Sequence, residues 1–304
     1  MKRRDFITKT GVGVAAGVVG AATLSAPAIA DGHKEINIVS TWPRDFPGLG
    51  LSAQRLAARI TELSNGKLKC NYFAAGEKVG AFDVFDEVAS GNSQAYIAAD
   101  YYWKGKHPGF AYFTSVPFGM TTVEWNAWIK FGGGQELWDE MSGEFGLKAL
   151  PCGGTGTQAG GWFNKEINST KDLNGLKMRI PGLGGEVFAR AGGTAVNMPG
   201  GEIFTSLQTG VIDAAEWVAP YNDLAFGLHN VAKYYYYPGW QEPGPSIELI
   251  INKDAFATLP DDLVAIVEAA ARAINQDMLD EYTSRNNAAL IDLQKQGVAI
   301  LPYP

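Results

Sequence analysis

The stretch that decides the fold lies at residues 36–99, where three strand-like segments alternate with two helical ones. In chain order the segments read INIVS (36–40), GLSAQRLAARITELS (50–64), LKCNYF (68–73), AFDVFDEVA (81–89) and QAYIAA (94–99). Apolar residues recur three and four positions apart in the second segment, which is typical of an amphipathic helix, and Asn65-Gly66 then ends it. This alternation predicts a parallel sheet whose strands are joined by helical crossovers.

Strands and helices continue to alternate along the rest of the chain. A helix over 123–145 is interrupted at Gly132–Gly134, and a long helix runs from Asp261 to about Gln296. Further strands are predicted at 146–151, 161–164, 176–180, 214–218, 247–252 and 298–301, and further helices at 185–192, 202–210 and 224–236. A compositional break near Cys152–Gly161 indicates two α/β lobes, and a ligand is expected at the carboxyl ends of the strands, between the lobes.

Composition and charge exclude several classes of protein. The chain has 304 residues, of which 46% are hydrophobic and 19% charged, as in ordinary globular proteins and unlike disordered ones. The net charge of -7 argues against a basic nucleic-acid-binding surface, so nucleic acid is not an expected partner. The sequence contains three histidines, which limits any histidine-based metal or acid–base site.

Residues 1–30 have the pattern of an export signal. Arg3-Arg4 precedes an apolar run that leads to Ala28-Ile29-Ala30, an A-x-A cleavage pattern, and the paired arginines are typical of a twin-arginine signal peptide. The alternative is a membrane anchor, but the run from Gly11 to Leu24 is shorter than the ~20 apolar residues that span a bilayer. We therefore expect a periplasmic protein of a Gram-negative bacterium.

Two cysteines, Cys70 and Cys152, remain after that segment. An oxidising compartment would allow them to pair. A single pair of cysteines far apart in sequence sets no disulfide framework, however, so two buried thiols are the other interpretation. The sequence leaves both open.

The residues that carry chemistry do not form a familiar catalytic motif. The sequence contains no G-x-S-x-G, H-E-x-x-H or C-x-x-C pattern. Gln158 lies in the glycine-rich stretch 153–161. Glycines permit a ligand to approach the backbone, so Gln158 either contacts a ligand or is a solvated loop residue. Arg179 ends a predicted strand, where its guanidinium either binds a carboxylate or pairs with a structural acid. Because of that strand-end position, Arg179→Ala is expected to leave the fold intact.

Two acidic residues lie in apolar surroundings. Glu216 falls in the predicted strand 214–218, and Glu242 follows the aromatic run Tyr234–Tyr237. A buried carboxylate needs a cation, a proton or an arginine, whereas Asp223 nearby is interpreted as a helix cap. One arginine, two acids and a glutamine without a nucleophile suit a small carboxylate bound together with a hard cation.

Four stretches resemble a known family over essentially the whole chain after residue 30. They are YYWKGKHP (101–108), GGWFNKEI (160–167), DLNGLKMRIPGLGGEVFARAG (172–192) and DAAEWVAPYNDLAFGLHNVAKYYYYPGWQEPG (213–244). These stretches are similar to the periplasmic solute-binding subunits of TRAP transporters, the DctP-like family. Within it they resemble the group that binds 2-oxo acids and is loosely described as mannitol/chloroaromatic.

The resemblance implies an α/β, bilobal periplasmic-binding-protein-like fold that closes by a hinge. Lobe I would comprise 31–155 and about 245–260, and lobe II 156–244 and about 297–304. A long helix at 261–296 would span the two lobes. Because family chains usually continue past Pro304, a truncated C-terminus is expected, with a homodimer only if a further C-terminal helix is present.

The resemblance also assigns site residues. Arg179 would bind the substrate carboxylate. A sodium or calcium ion would be held by Gln158, Glu216, Glu242 and the backbone carbonyl of Trp217, all of which line the substrate.

Two aromatic residues complete the implied site, because Tyr101 and Tyr102 match the aromatic motif of the first lobe and would contact the ligand. The implied protein captures a 2-oxo or 2-hydroxy monocarboxylate without catalysis. It delivers that acid to the small and large membrane permease subunits. The alternatives are an exported metal-assisted hydrolase using Glu216 or Glu242, and a sensory ligand-binding module of the same fold.

Overall fold

Strands in the computed structural model form two sheets, which belong to residues 34–304, the part of the chain that the structure describes. The signal peptide predicted at 1–30 lies outside the described residues. In chain order the strands are β1 (Lys34–Ser40), β2 (Leu68–Phe73), β3 (Ala95–Ala98), β4 (Leu147–Gly154), β5 (Gly161–Phe163), β6 (Lys177–Arg179), β7 (Thr194–Val196), β8 (Ala214–Ala215), β9 (Tyr234–Tyr236), β10 (Ser246–Asn252) and β11 (Ala299–Leu301).

The first sheet has the strand order β2-β1-β3-β10-β4. Its first three strands are parallel and joined by helices, as the stretch 36–99 predicts. The sequence makes no prediction of direction for the other half of this sheet, where β10 lies antiparallel to both β3 and β4. β10 follows β9 of the second sheet along the chain, and it enters the first sheet in the opposite direction to β3.

The second sheet has the strand order β11-β9-β5-β8-β6-β7. The helix predicted at 224–236 is wrong, since Tyr234–Tyr236 forms β9 between β5 and β11. Gly227 adopts a left-handed φ of 70°, which ends the preceding helix, and the tyrosine run favours a strand. β8 comprises two residues, so Glu216 lies just beyond its carboxyl end rather than inside a strand.

The helices cover the two sheets and connect them. They are α1 (Leu49–Leu63), α2 (Val84–Ala89), α3 (Gly109–Thr114), α4 (Thr122–Phe131), α5 (Gly134–Gly143), α6 (Gly182–Arg190), α7 (Gly200–Gln208), α8 (Pro220–Ala225), α9 (Lys253–Ala257) and α10 (Asp261–Lys295). The predicted interruption at Gly132–Gly134 is confirmed, because Gly133 has a left-handed φ of 82° between α4 and α5. Among helices within 34–304, none is both long and apolar enough to cross a membrane.

The long helix predicted from Asp261 is confirmed as α10. It packs on β4 and α1 of the first sheet and on α8, which follows β8 of the second. Within α10, Asn275 donates to Asn126 of α4, and Glu281 accepts a hydrogen bond from the Tyr221 hydroxyl of α8. The fold is therefore α/β and bilobal, with a helix along both halves, whereas the residue boundaries of the lobes and the hinge stay predictions.

Strand order decides the state of the cysteines. Cys70 lies on β2 and Cys152 on β4, at opposite edges of the first sheet. Four strand spacings of about 4.8 Å separate them, far more than the roughly 7 Å that a disulfide can bridge between Cα atoms. Both are free thiols.

We expect two alkylatable thiols in the denatured, unreduced protein, and a melting temperature that a reducing agent leaves unchanged. In the native protein, burial raises the pKa of Cys70 to about 12, so its alkylation at neutral pH should be slow. Mass spectrometry after alkylation measures the thiols. A mass two units low, with no alkylation, would contradict the strand order.

Candidate ligand and cation site

The centre of the site is an arginine and a glutamate at one edge of the second sheet. Arg179 ends β6 and Glu216 follows β8, and these strands are parallel neighbours with Arg179 opposite Ala215. The carboxyl ends of parallel strands lie at the same edge, so the topology brings the two side chains together. The Glu216 N–H donates to the Arg179 carbonyl at 2.9 Å, which fixes the end of β8 against β6.

Arg179 and Glu216 form a fully buried ion pair, and each side chain is 0% exposed. Arg179 Nη1 donates to Glu216 Oε2 at 2.9 Å and to the Glu216 carbonyl at 2.7 Å. Arg179 Nε donates to the Met198 carbonyl at 3.2 Å, and the guanidinium lies 5.2 Å from the centre of the Trp217 ring. Burial of Arg179 contradicts the expectation that Arg179→Ala leaves the fold intact, because Glu216 would lose its buried counter-charge.

This ion pair leaves one atom of each residue without a partner. Within 34–304, Arg179 Nη2 and Glu216 Oε1 are buried and have no hydrogen-bond partner. Buried polar atoms are normally satisfied, so an unsatisfied pair of opposite polarity indicates a place for a polar ligand. Arg179 thus pairs with an acid, one of the two interpretations of its sequence context, and its Nη2 is left without a partner among residues 34–304.

The glycine-rich loop brings Gln158 to the same place. The Gln158 N–H donates to the Glu242 carbonyl at 3.0 Å, and the Gly239 N–H donates to the Gln158 carbonyl at 2.8 Å. The side-chain Nε2 donates to Thr155 Oγ1 at 3.1 Å, which turns Oε1 away as an acceptor. Gln158 Oε1 is buried and has no donor among residues 34–304.

Glu242 connects this group to the first sheet. Its carboxylate is buried, and the Tyr101 hydroxyl donates to Oε2 over 3.5 Å. Tyr101 and Tyr102 belong to a 3-10 helix, Asp100–Trp103, which follows β3, and their rings meet edge to face at 5.0 Å. Of the predicted residues, the structure therefore brings Arg179, Glu216, Gln158, Glu242 and Tyr101 together, with Tyr102 beside Tyr101.

Trp217 is assigned to the site through its backbone carbonyl. Its ring is buried against Phe46 and Phe226, and the ring Nε1 has no hydrogen-bond partner among residues 34–304. The neighbouring carbonyls of Glu216 and Val218 accept hydrogen bonds from Arg179 and from the Ala159 N–H. Among the backbone hydrogen bonds of residues 34–304 outside helices and strands, none is accepted by the Trp217 carbonyl, which leaves this oxygen free for a ligand.

The electrostatics of the site favour a bound cation. Burial raises the pKa of Glu242 to about 8, and burial together with repulsion from Glu242 raises the pKa of Glu216 well above its usual range, although Arg179 opposes both effects. Two buried carboxylates exceed the charge of one arginine, and a cation would balance them. The oxygens of Gln158, Glu216, Glu242 and Trp217 are the ligands that hard cations prefer, so the donor set fits sodium or calcium.

This donor set is mixed rather than purely acidic. In the part of the chain covered by the structure, no three or more His, Cys, Asp or Glu residues converge as a metal-binding group. Amide and carbonyl oxygens would therefore supply half of the protein ligands. A search of the sequence for clustered acids would overlook such a site.

Asp223 has a different place from the helix cap that the sequence suggested. It lies inside α8, is fully buried, and accepts hydrogen bonds from Trp162, Tyr235 and Val218. The cap interpretation is therefore wrong. The signal that singled out Glu216, an acid among apolar residues, applies equally to Asp223.

A second buried acid pair, which the sequence analysis missed, supports Tyr101. Glu248 on β10 accepts the Asp100 N–H at 3.0 Å and the Thr114 hydroxyl at 3.0 Å, and Thr114 in turn accepts the Tyr101 N–H at 3.1 Å. The Asp100 carboxyl accepts the Tyr96 hydroxyl at 2.9 Å. These bonds fix the start of the 3-10 helix that carries Tyr101.

The Asp100 carboxyl should make stability depend on pH. Burial raises the pKa of Asp100 to about 7, so the folded chain holds a proton that the unfolded chain has lost above about pH 4. The free energy of unfolding should therefore fall as pH rises towards 7, and this loss should be smaller in Asp100→Asn. Urea unfolding at pH 5, 6 and 7.5 measures the difference, with the exposed Asp277→Asn as control. Parallel pH profiles for Asp100→Asn and wild type would contradict the assignment.

Comparisons with known proteins identify the family of this chain. Residues 38–304 match the family described as bacterial extracellular solute-binding protein, family 7, or DctP. A protein of Nostoc sp. described as a monocarboxylate 2-oxoacid-binding periplasmic protein is 40% identical over 306 residues, covering 100% of this chain and 84% of that one.

Two solved structures of TRAP periplasmic solute-binding proteins are also similar. One, from Pseudoalteromonas atlantica with bound sodium and pyruvate, is 42% identical with a TM-score of 0.87 and covers 90% of this chain and 83% of that one. The other, from Colwellia psychrerythraea with bound calcium and pyruvate, is 41% identical with a TM-score of 0.87 and the same coverage of 90% and 83%. The chain therefore belongs to the DctP family, family 7 of the bacterial extracellular solute-binding proteins.

Proposed function

We propose that this protein captures a small 2-oxo or 2-hydroxy monocarboxylate together with sodium or calcium and does not transform it. The observation that carries the proposal is the buried group of unsatisfied atoms: the Nη2 donor of Arg179 beside the acceptor oxygens of Glu216 and Gln158. A carboxylate satisfies the donor, and a hard cation satisfies the acceptors. Relatives that bind a 2-oxo acid, or pyruvate with either ion, support this assignment.

Each site residue then has one role. Arg179 Nη2 binds the substrate carboxylate, and the cation is held by Gln158 Oε1, the carboxylates of Glu216 and Glu242, and the Trp217 carbonyl. A 2-oxo or 2-hydroxy acid completes the cation's coordination with its own oxygens. The bound ion would supply positive charge at the substrate oxygens, while Tyr101 and Tyr102 exclude water from the opposite side.

Closure of the site follows from contacts that join the two halves of the molecule. Tyr101 reaches Glu242, Lys104 pairs with Glu186 at 2.6 Å, and Asn197 donates to the Tyr102 carbonyl at 3.3 Å. Each contact joins the segment after β3 to the part of the chain that carries the second sheet. A ligand touching both halves would bind the closed form more tightly than the open one, which drives closure about the predicted hinge.

The cellular role follows from the family. We propose that residues 1–30 direct export by the twin-arginine route, that the protein acts in the periplasm, and that it delivers its acid to the small and large subunits of a membrane permease. Family membership favours this role over metal-assisted hydrolysis. A sensory module would share the site and differ in the protein that docks on it, so uptake by vesicles containing the permease distinguishes the two.

Calorimetric titration of the protein, refolded to remove ligand, tests the proposal. Pyruvate, 2-oxobutyrate and lactate are titrated with sodium, with calcium, and with a chelator in potassium buffer. We expect one-to-one binding that weakens about 5- to 150-fold without the matching cation, the usual range of coupling between two sites. Binding that is indifferent to the cation would overturn the shared site, and no binding of any acid would overturn the substrate class.

A further inference from the structure

Asp223 lies behind the proposed cation site and touches neither ligand. Its Oδ2 accepts hydrogen bonds from Trp162 Nε1 at 3.0 Å and from the Tyr235 hydroxyl at 2.8 Å, and its Oδ1 accepts the Val218 N–H at 3.2 Å. The carboxyl is fully buried, and Arg179, the nearby cation, is already paired with Glu216. The hydrogen bonds of the Asp223 carboxyl are therefore all accepted from neutral donors.

The bond to Val218 fixes the orientation of a peptide plane. Trp217 and Val218 share a trans peptide, since the cis bond within 34–304 is Tyr237–Pro238. In a trans peptide the N–H and the C=O point in opposite directions. With the Val218 N–H held by Asp223, the Trp217 carbonyl must point away from Asp223.

The Trp217 carbonyl stands out among its neighbours. The carbonyls on both sides of it accept hydrogen bonds within the protein. The Glu216 carbonyl accepts from Arg179 Nη1, and the Val218 carbonyl accepts from the Ala159 N–H. Taken over residues 34–304, the Trp217 carbonyl accepts no hydrogen bond, although its peptide is held through the N–H. A carbonyl that is oriented but unused is a preorganised ligand.

We propose that Asp223 is a positioning residue that aims the Trp217 carbonyl at the bound cation. This inference rests on the proposed function and deepens it, because it makes cation affinity depend on a residue outside the coordination sphere. Groups that orient metal ligands in this way typically contribute 10- to 100-fold to metal affinity. The ligand class is a hard cation, sodium or calcium.

A structural role for Asp223 can be separated from the positioning role, because the two use different oxygens. Trp162 and Tyr235, whose rings stack at 4.1 Å, bind Oδ2, whereas Val218 binds Oδ1. Tyr235→Phe removes one donor to Oδ2 and keeps the stacked ring. It is the matched control for the loss of a buried hydrogen bond.

The decisive variant is Asp223→Asn. Asparagine offers one acceptor oxygen, so its amide nitrogen must face an N–H of Val218 or of Trp162, neither of which accepts. Calcium alone and sodium alone are titrated into the ligand-free protein by calorimetry, and the melting temperature without cation is measured in parallel. We expect Asp223→Asn to weaken cation binding about 10- to 100-fold, and Tyr235→Phe to leave it within about threefold while lowering the melting temperature.

Cation affinity equal to wild type in Asp223→Leu, which offers the Val218 N–H no acceptor, would overturn the inference, as would an equal loss in Asp223→Asn and Tyr235→Phe. If the wild type binds neither cation with pyruvate nor cation alone, the proposed function itself fails and this inference with it. If Asp223→Asn does not fold, hydrogen exchange of the Val218 amide in the wild type tests the inference instead. The amide should be protected to the same degree with and without calcium, and an amide that becomes protected only when calcium binds would contradict preorganisation.

Discussion

Arg179→Met is expected to lower the affinity for pyruvate at least about thirtyfold, since loss of one partner of a buried, hydrogen-bonded charge pair costs about 2–5 kcal/mol. The substitution removes the Nη2 donor assigned to the substrate carboxylate. It also leaves the fully buried Glu216 without its counter-charge, so the free energy of unfolding should fall by about 3–5 kcal/mol. Calorimetry measures the first effect and urea unfolding the second.

A double variant separates these two effects. Arg179→Met with Glu216→Gln removes both charges and should recover much of the stability, because an apolar and an amide side chain bury more cheaply than an unpaired carboxylate. It should not recover pyruvate binding, since the donor and the cation ligand are both lost. Arg179→Met that keeps an affinity within about threefold of wild type, while remaining folded, would remove Arg179 from the site.

Strand topology explains why some site residues were predictable from the sequence. Arg179 and Glu216 follow short strands, and the carboxyl ends of parallel strands define where α/β proteins bind ligands. The roles of Gln158 and of the Trp217 carbonyl came from the family resemblance, because an amide in a glycine-rich loop and a backbone oxygen carry no local signal. The structure supplies such a signal for Gln158, whose buried Oε1 has no hydrogen-bond partner among residues 34–304.

Errors in the predicted fold have a common physical cause, which is pairing between distant segments. The run that ends in Tyr234–Tyr236 has residues compatible with a helix. Its partners make it a strand, because Tyr235 pairs with Trp162 of β5, 73 residues earlier, and with Ile300 of β11, 65 residues later. The sequence also carries no signal for the direction of β10, which enters the first sheet antiparallel to β3 after the chain has passed through the second sheet. Asp100 and Glu248 are 148 residues apart, so their contact was not visible in any local pattern.

Glu216→Gln is expected to weaken the cation and the carboxylate together. The glutamate binds Arg179 through Oε2 and presents Oε1 to the cation, and a glutamine must turn its amide nitrogen towards one of the two. If the amide nitrogen faces Arg179, N–H groups meet the Nη1 donor. If it faces the cation, N–H groups replace a coordinating oxygen, so either orientation removes an attraction. We expect pyruvate affinity in saturating calcium to fall at least about tenfold, since charged hydrogen bonds contribute about 1.5–3 kcal/mol each.

Linkage makes this prediction stricter than a simple loss of binding. If ligand and cation share Glu216, each must change the affinity for the other by the same factor, and Glu216→Gln should reduce that factor for both. Glu242→Gln should have a smaller effect on folding, because its neighbour Tyr101 carries a hydroxyl that can accept as well as donate. The exposed Glu136→Gln serves as the control for a lost negative charge. Pyruvate affinity and its calcium dependence that both survive in Glu216→Gln would show that the cation and the carboxylate bind apart, and the shared site would then be wrong.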